Sequence, residues 1–470
     1  MKFLNAVNYN LISIAIPNDW KHCNVTPVHK SGSKDSPGNF RPISVVPVAA
    51  KMLEKIVAQQ LSLYLESHQA LSPYQCAYRR GKSTEQLLLV AVDAIASALD
   101  KNLCACVAFL DLRKAFDSLD HCLLLQRLGM LGVVGTEISW FVSYLSDRFQ
   151  RVKYNNSYSN WGLVKGGIPQ GSALGPLLFL VYMNNLSSQV TCGSLLQYAD
   201  NTALICAGST LSVVHQQLCD DLSRLLSWVN QSKMQLNIEK SSIMWFRPRS
   251  LLTVSPPDVV VDSTPLRPVS TQKYLGVIFD DRLDWSAHVA AVCKKVSFYL
   301  FWINSHRKNL PSEVIKMLID SLVLSRLSYA LPVWGPMLSK SQLNRLQNLH
   351  NWGVRITACL QKYDHVSYHR HQLNWLSVSS MIRYRSLCVM HGIYHHNNVP
   401  FDPPIIFGST HAYRTRWSER LIQPVYCRLS ATKTLFRHLV SRWWNELSDD
   451  LVTSPTFLSS AYDYFLTTDA

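Results

Sequence analysis

The stretch from Cys104 to Asp117 reads CACVAFLDLRKAFD. Its first part, through Leu112, is apolar apart from Asp111, and a short apolar run of this kind is typical of a buried β-strand. The pattern therefore predicts a strand that places the carboxylate of Asp111 near its C-terminal end. Taken alone, an aspartate in such a place more often caps an element than carries chemistry, so Asp111 needs a partner.

A second carboxylate occurs farther along the chain, in a predicted hairpin. Leu195 to Tyr198 and Thr202 to Cys206 are apolar segments on either side of a turn that holds Asp200 and Asn201. If this hairpin joins the sheet of the first strand, Asp111 and Asp200 come together. Paired carboxylates are what two-metal phosphoryl transfer requires, with Mg²⁺ ions about 3.5 to 4 Å apart. The alternative is that Asp200 simply occupies a turn.

The surrounding segments alternate between helices and strands. Helices are predicted over Val48 to Glu66 and Thr210 to Lys233, and strands over Ser242 to Phe246 and Gln272 to Phe279. This alternation indicates an α/β or α+β fold with one central sheet. From Asp284 onward apolar residues recur at helical spacing, so we place a domain boundary there.

A predicted helix near the C-terminus has a one-sided apolar face, which is typical of a helix packed on a core rather than of a base-stacking surface. Arg437 and Arg442 are predicted to lie off that face. The face comprises Phe436, Leu439, Val440, Trp443, Trp444 and Leu447.

Composition excludes several classes of protein. The chain has 470 residues, 47% of them hydrophobic, so it can bury a large core and is not intrinsically disordered. No apolar run approaches the ~20 residues of a membrane-spanning helix, and no secretory signal is found, so no membrane partner is expected. Twelve cysteines without regular spacing fit an intracellular protein with reduced thiols.

The charge points to a polyanionic partner. Lys and Arg number 46 against 31 Asp and Glu, which gives a formal charge of +15. Residues 341–440 hold twelve Lys or Arg against three Asp or Glu, so this region carries +9 of that charge. A basic protein of this size often binds nucleic acid.

Six segments occur in a fixed order and together resemble the reverse transcriptases of non-LTR retrotransposons, especially the jockey-like kind. The resemblance covers nearly the whole chain. The segments are NFRPIS (Asn39 to Ser44), FLDLRKAFD (Phe109 to Asp117), GGIPQGSALGPLLF (Gly166 to Phe179), YADNTAL (Tyr198 to Leu204), LNIEKSSIMWF (Leu236 to Phe246) and YLGVIFDDRLDW (Tyr274 to Trp285).

The resemblance implies an α+β, right-hand polymerase fold. Residues 1–100 would form the fingers region and residues 101–283 the palm, with an antiparallel sheet and interleaved fingers segments. Residues 284–350 would form a helical thumb and residues 351–470 a basic helical C-terminal region.

The resemblance also implies a role for individual residues. Asp111 and Asp200 would hold two Mg²⁺ ions, for which Mn²⁺ is a substitute, and Asn201 lies beside them in the catalytic motif. The implied nucleotide-binding residues are Arg41 at the triphosphate, Phe116 at the sugar 2' position, Gln170 beside the nascent base pair and Lys240 on the pyrophosphate side. The implied nucleic-acid contacts are Arg79, Arg80 and Gly171, together with basic C-terminal residues that include Arg414, Arg416 and Arg420.

The implied reaction copies an RNA template into DNA from the 3' hydroxyl of a DNA primer or target, using deoxynucleoside triphosphates. Jockey-like elements usually encode an endonuclease upstream of the polymerase, whereas this chain begins almost at the fingers segment. Target cleavage is therefore not assigned here, and a separate endonuclease would be a further partner. Work on chromosomal DNA would require the nucleus, but no compact basic nuclear signal is found, so nucleus and cytoplasm both stay open.

Other interpretations are weaker. Gly81, Lys82, Ser83 and Thr84 suggest a phosphate-binding P-loop, but Cys76 stands where that motif needs its first glycine. A group II intron maturase would share the fold, although YLGVIFDDRLDW and the C-terminal pattern favour a retrotransposon. A nucleic-acid-binding protein that keeps the fold without catalysis stays open. A zinc site is not expected, because the candidate ligands follow no strong zinc pattern; they are Cys359, His365, His369 and His371.

One departure from the family pattern concerns the hairpin. The family carries two adjacent aspartates there, whereas this chain has Asp200 followed by Asn201. An asparagine offers a carbonyl oxygen but no negative charge. Two unit charges 4 Å apart interact by about 4 kcal/mol at an effective dielectric constant of 20, and ~1.4 kcal/mol corresponds to a tenfold change in rate. Catalysis is therefore expected to be impaired.

We expect the wild-type chain to extend a primer very slowly and Asn201→Asp to raise the rate by about three decades, because the new carboxylate restores the missing charge. Extension of oligo(dT) on poly(rA) with Mg²⁺ measures both rates. Equal extension by the two proteins, with Asp111→Ala inactive, would contradict the expectation.

Overall fold

The described part of the chain contains two five-stranded sheets and two two-stranded sheets with helices packed around them, an α+β arrangement as predicted. A computed structural model of the chain describes residues 16–396, 401, 405–408, 421–422, 428 and 435–468. Short 3₁₀ turns and one π-helical turn at Asp320–Leu324 connect some of the longer elements.

The strands and helices lie in the following ranges. The strands are β1 (His22–His29), β2 (Phe40–Val45), β3 (Cys104–Leu110), β4 (Phe149–Tyr154), β5 (Ser157–Tyr158), β6 (Gly162–Leu163), β7 (Ser194–Tyr198), β8 (Asn201–Gly208), β9 (Ser242–Phe246), β10 (Val260–Val261), β11 (Thr264–Pro265), β12 (Arg267–Pro268), β13 (Thr271–Tyr274) and β14 (Val277–Asp280). The helices are α1 (Val48–Ser67), α2 (Thr84–Asp100), α3 (His121–Met130), α4 (Thr136–Leu145), α5 (Gly175–Met183), α6 (Leu211–Gln231), α7 (Ser286–His306), α8 (Ser312–Ile319), α9 (Ser325–Ser328), α10 (Leu331–Trp334), α11 (Lys340–Thr357), α12 (Ser367–Gln372), α13 (Val378–His396), α14 (Phe436–Asn445), α15 (Asp449–Val452) and α16 (Phe457–Thr468).

The central sheet has the strand order β12-β9-β3-β8-β7. Its middle strand, β3, is buried along its whole length and pairs antiparallel with β8 and β9. Successive side chains of a strand point to opposite faces of the sheet. Cys106 and Leu110 therefore belong to a core that includes residues of α6, whereas Val107 and Phe109 belong to a core that includes residues of α2 and the later helices. Burial on both faces explains the continuous apolar run of this strand.

A second sheet has the order β2-β1-β4-β5, with β6 beside β4. Strand β1 is antiparallel to β2 and parallel to β4, so His22–Val25 lie beside Phe149–Val152. The predicted central sheet is therefore present, but the prediction that it is the single sheet is wrong. Pairing between segments so distant in sequence leaves no local pattern, and for that reason the second sheet was not foreseen.

The segment predicted as one strand over Gln272 to Phe279 is a hairpin of β13 and β14. Leu275 and Gly276 form its two-residue turn, with φ of 45° and 85°. Positive φ at both central residues is the hairpin turn of type I′, which usually carries Asn, Asp or Gly at its first position. A leucine there hides the turn in an apolar run.

Helix α2 is the element against which the C-terminal region docks. The side chains of Asp93 and Arg437 form an ion pair at 3.0 Å and are 7% and 5% exposed. Arg437 was predicted to lie off the apolar face of its helix, but it is buried, because Asp93 compensates its charge. Two further contacts join α2 to the C-terminal region: Arg385 of α13 pairs with Glu85 at 3.3 Å, and the backbone amide of Arg428 donates to Asp100 at 2.9 Å.

In these contacts, acidic residues of α2 pair with part of the positive charge of residues 341–440. Arg383 also pairs with Glu446, and Arg370 is buried. The charge of this region is therefore not wholly available to a nucleic acid. Arg414, Arg416 and Arg420 lie outside the described residues, and the division of the chain into fingers, palm, thumb and C-terminal region stays a prediction.

No helix in the described ranges is both long enough and apolar enough to cross a membrane. The same ranges contain no group of three or more His, Cys, Asp or Glu side chains that could hold a metal ion. That statement covers the residues weighed above as zinc ligands, of which Cys359 is exposed.

His288 lies where α7, β14 and α10 meet. It is 4% exposed, accepts a hydrogen bond at Nδ1 from the Ile278 amide (3.3 Å) and packs edge-on against Trp334, with ring centroids 4.9 Å apart. Burial lowers its pKa to about 4. Because an unfolded histidine has a pKa of about 6.5, the stability that depends on neutral His288 is present above that pH and is lost as the pH falls toward 4.

Between pH 6.5 and pH 4 we expect the wild-type chain to lose up to about 3 kcal/mol more unfolding free energy than His288→Gln, because the proton is taken up by the unfolded wild-type chain. Denaturant unfolding across this pH range measures the difference. Parallel pH curves for the two proteins would contradict it.

Candidate active site

Asp111 directly follows β3 and is held by the loop that precedes β9. Its backbone amide donates to Ser241 Oγ (3.2 Å), and its carbonyl accepts from the Asn237 amide (2.8 Å). The side chain of Asn237 also donates to the Asp111 carboxylate, with Nδ2 at 3.0 Å from Oδ2. The loop thus fixes both the backbone and the carboxylate of Asp111. Sequence reasoning did not single out Asn237, although it lies within the quoted LNIEK segment.

Asp200 lies in the two-residue turn between β7 and β8. Tyr198 pairs with Asn201 across the turn, so Asn201 is the first residue of β8. The prediction that Asn201 lies in the turn is therefore wrong. Ala199, the other turn residue, has φ of 55°, a left-handed conformation that is uncommon for a residue with a side chain. The tip of the hairpin therefore keeps its shape only while its surroundings hold it.

The register of the sheet brings the two aspartates together. Leu110 of β3 faces Thr202 of β8, so Asp111 and Asp200 extend from the same end of adjacent strands. Burial raises the pKa of the Asp200 carboxyl, and the charge of Asp111 raises it further, whereas Lys30 and Arg41 act in the opposite direction. Two carboxylates that repel one another in a half-buried place form a site that suits a divalent cation, which prefers such hard oxygen ligands.

Asn201 is exposed, and its Nδ2 lies 3.4 Å from Asp200 Oδ1. Its amide nitrogen thus faces the aspartate, while its side chain adds no negative charge. Among the described residues, the site therefore has two carboxylates and one amide, and a third acidic ligand is missing.

Two basic residues are near enough to Asp200 to lower the pKa of its carboxyl. Arg41 is exposed on β2, and Lys30 lies in the loop that joins β1 to β2, where its amide donates to Asn39 O (2.8 Å). Both act on the Asp200 carboxyl electrostatically. Arg41 was predicted to serve the nucleotide; Lys30 was missed, because it is one of several basic residues in a loop whose direction the sequence does not show.

Phe116 and Gln170 lie on the loops beside the aspartates. The Phe116 ring stacks on Phe179, with centroids 4.4 Å apart and planes 17° apart. Gln170 Nε2 donates to Asp117 Oδ1 (2.8 Å), which joins the loop after β6 to the loop after β3. Burial raises the pKa of Asp117, and the hydrogen bond from Gln170 opposes that effect.

The loop that carries Gln170 also contacts β2 through its backbone. The Ser44 amide donates to Gln170 O at 2.7 Å. Gly171 has φ of 117°, and a Cβ there would lie 2.6 Å from Ser44 O. Glycine is therefore required at this position for two reasons: the backbone conformation and the close approach of β2.

The remaining predicted residues differ in their surroundings. Lys240 and Arg80 are exposed. Arg79, predicted to face nucleic acid, has a side chain that is 8% exposed and forms a bidentate pair with Glu66, at 2.7 Å for both Nε and Nη2. The structure therefore places Arg79 in the interior, because Glu66 of α1 supplies a charge partner that the sequence does not reveal.

Tyr78 is a residue that sequence reasoning missed. It is 53% exposed and has φ of 54°. Partial burial raises the pKa of Tyr78, and the charge of Asp200 raises it further, so the phenol is within electrostatic reach of the aspartate. Backbone strain of this kind clusters at functional sites.

Known proteins are similar to this chain in sequence. The family "Reverse transcriptase (RNA-dependent DNA polymerase)" matches residues 28–279, more than half of the chain. The "Probable RNA-directed DNA polymerase from transposon BS" of Drosophila melanogaster is 29% identical over 78% of this chain and 41% of its own length. The "RNA-directed DNA polymerase from mobile element jockey" of the same species is 25% identical over 74% of this chain and 39% of its own length.

The chain thus spans about two fifths of the length of these relatives. Among solved structures, apo telomerase from Candida tropicalis aligns with 80% of this chain and 66% of its own chain, at 12% identity and a TM-score of 0.43.

We expect Gly171→Ala to lose about 1–3 kcal/mol of unfolding free energy and to weaken nucleotide binding, because the new methyl group forces the Gln170 loop away from β2. Denaturant unfolding and titration of a deoxynucleoside triphosphate into the protein–primer–template complex measure the two effects.

Gly129→Ala is the matched control. Gly129 lies in α3, and a Cβ there would meet no atom within 4 Å. Its substitution is expected to leave nucleotide binding unchanged and stability equal or raised by up to about 1 kcal/mol. If Gly171→Ala behaves like this control, the loop does not depend on its close approach to β2.

Proposed function

The chain belongs to the reverse transcriptase family, and from that premise we propose that it is an RNA-directed DNA polymerase of a non-LTR retrotransposon, with catalysis impaired at Asn201. Its fold is the right-hand polymerase of that family. The proposed reaction extends the 3' hydroxyl of a DNA primer or target along an RNA template with deoxynucleoside triphosphates.

The observation that carries the proposal is the convergence of Asp111 and Asp200 at one end of the central sheet. The register of β3 against β8 brings them together, and their charges interact. Two carboxylates would hold a pair of divalent ions, Mg²⁺ or its substitute Mn²⁺. When bound, such ions activate a hydroxyl nucleophile and neutralise the phosphates of the incoming nucleotide.

The neighbouring side chains support a nucleotide site beside these carboxylates. Arg41 and Lys30 are cations on the same side and would bind the triphosphate. The Gln170–Gly171 loop, tied to β2 and to Asp117, would orient the base pair. Phe116, held by Phe179, would exclude a 2' hydroxyl from the sugar.

Asn201 sets the expected level of activity. Its amide lies 3.4 Å from Asp200, so it orients that carboxylate without adding charge to the metal site. The protein site then has less negative charge with which to hold the cations in the transition state. The chemical step is therefore expected to be slower.

A nucleic-acid-binding protein without polymerase activity is the second candidate, and the same asparagine favours it. Such a protein would keep its affinity for a primer–template and the steep salt dependence of phosphate contacts, but would add no nucleotide. The two candidates therefore differ in extension and not in binding.

Primer extension in the Asn201→Asp protein tests the proposal with the highest sensitivity. We expect Asp111→Asn in this background to abolish extension and to leave primer–template affinity, and its salt dependence, as they were. The reason is that Asp111 serves the metal ions, whereas nucleic-acid affinity arises from phosphate contacts elsewhere.

Asp262→Asn is the matched control, since it removes one negative charge from an exposed turn between β10 and β11. It is expected to leave extension unchanged. Metal-dependent extension that survives Asp111→Asn would refute the assignment of the site. Binding with a steep salt slope but no extension, even with Asn201→Asp, would select the second candidate.

A further inference from the structure

A short segment between α1 and α2 lies along the hairpin that carries Asp200. Gln75 forms a parallel bridge with Gln197 of β7. The Cys76 amide donates to Gln197 O (3.0 Å), and the Gln197 amide donates to Tyr74 O (3.0 Å). This segment therefore acts as an additional edge strand for the catalytic hairpin.

The side chain of Gln75 reaches the turn itself. Gln75 is 1% exposed, and its Oε1 accepts hydrogen bonds from the backbone amides of Ala77 and Ala199, both at 3.2 Å. Ala199 immediately precedes Asp200 and has φ of 55°. One buried side-chain oxygen thus holds the strained residue on which the position of the Asp200 carboxylate depends.

Arg79 in turn holds Gln75. Its Nη1 donates to Ser72 O (2.6 Å) and to Gln75 O (3.0 Å), while Nε and Nη2 donate to the carboxylate of Glu66. Four of the five N–H groups of the guanidinium are engaged in this way. The side chain is therefore committed to the protein and does not offer a free charge to a phosphate.

We propose that Gln75 and Arg79, here called the hairpin brace, are positioning residues that hold Asp200 in the geometry needed to bind metal ions. The inference rests on the proposed metal site of Asp111 and Asp200. The hairpin brace acts through the backbone: Glu66 of α1 fixes Arg79, Arg79 fixes the backbone of Gln75, and Gln75 fixes Ala199. It connects the first long helix of the chain to the catalytic turn.

The hairpin brace has a measurable consequence because metal ligands must keep their geometry. A displacement of about 1 Å at a catalytic group is enough to reduce rate by two decades. Loss of the Gln75 acceptor would leave the Ala199 amide unpaired and release the turn, whereas loss of a nucleic-acid contact would leave the turn intact.

The test measures Mn²⁺ affinity by calorimetry in a stalled complex, made with a dideoxy-terminated primer, its template and the matching deoxynucleoside triphosphate. Gln75→Met, which keeps the length of the side chain but loses the acceptor, and Arg79→Gln are expected to raise the Mn²⁺ dissociation constant about five- to tenfold. Gln75→Glu keeps the acceptor oxygen and is therefore expected to bind Mn²⁺ with the affinity of the wild-type chain. Salt dependence of primer–template binding is measured on the same proteins.

Arg249→Gln is the matched control, since it removes the charge of an exposed arginine after β9 that has no part in the proposed site. It is expected to leave the Mn²⁺ affinity at the wild-type value. The hairpin brace is supported if Arg79→Gln weakens Mn²⁺ binding with an unchanged salt slope. It is overturned if Arg79→Gln instead leaves Mn²⁺ binding unchanged and reduces the salt slope by about one, the result for a phosphate contact.

A second measurement separates this inference from the metal site. If Asp200→Asn binds Mn²⁺ as tightly as the wild-type chain, the proposed metal site fails. Hydrogen exchange of residues 197–203 then decides the hairpin brace on its own. The hairpin brace is supported if these residues exchange faster in Gln75→Met than in the wild-type chain and at the wild-type rate in Gln75→Glu. It is overturned if the wild-type chain and both variants exchange at the same rate.

Discussion

The antiparallel register of β3 against β8 is the constraint on which the rest of the site depends. Leu110 faces Thr202, so Asp111 and Asp200 leave the sheet at the same end. A slip of one residue would turn every side chain of β3 to the opposite face. Because both faces of β3 are buried in apolar cores, such a slip would cost the packing of the whole molecule. The two cores thus fix where Asp111 and Asp200 lie relative to one another.

Once that register is established, local contacts refine each carboxylate. Asn237 and Ser241 hold Asp111 from the side of β9, and Gln75 holds the turn before Asp200 from the opposite edge. The three residues that make these hydrogen bonds are polar, and each is distant in sequence from the aspartate near which it lies. The positive charge of the chain has two kinds of surroundings. Arg79 and Arg437 are paired with acids inside the fold, whereas Arg41 and Lys30 are exposed and act electrostatically on the Asp200 carboxyl.

Much of the fold follows from local patterns. The apolar run of β3, the hairpin of β7 and β8, and the helices α1 and α6 were predicted within a few residues, because periodicity and turn residues are local properties. The errors share one cause. The second sheet depends on β1 pairing with a distant β4, and the partners that bury Arg79 and Arg437 lie on other elements. The turn at Leu275 was missed for a different reason, since leucine gives no turn signal.

The sequence by itself determined the chemistry that is available: two aspartates in recognisable motifs, an asparagine where the family has a third carboxylate, and an excess of positive charge. These are properties of residue identity and order. The tertiary structure alone decided that Arg79 and Arg437 are paired with acids, that Lys30 and Tyr78 are within electrostatic reach of Asp200, and that Gln75 accepts a hydrogen bond from Ala199. The physical reason is that each of these depends on long-range backbone pairing, which sets distance and burial and leaves no trace in local sequence.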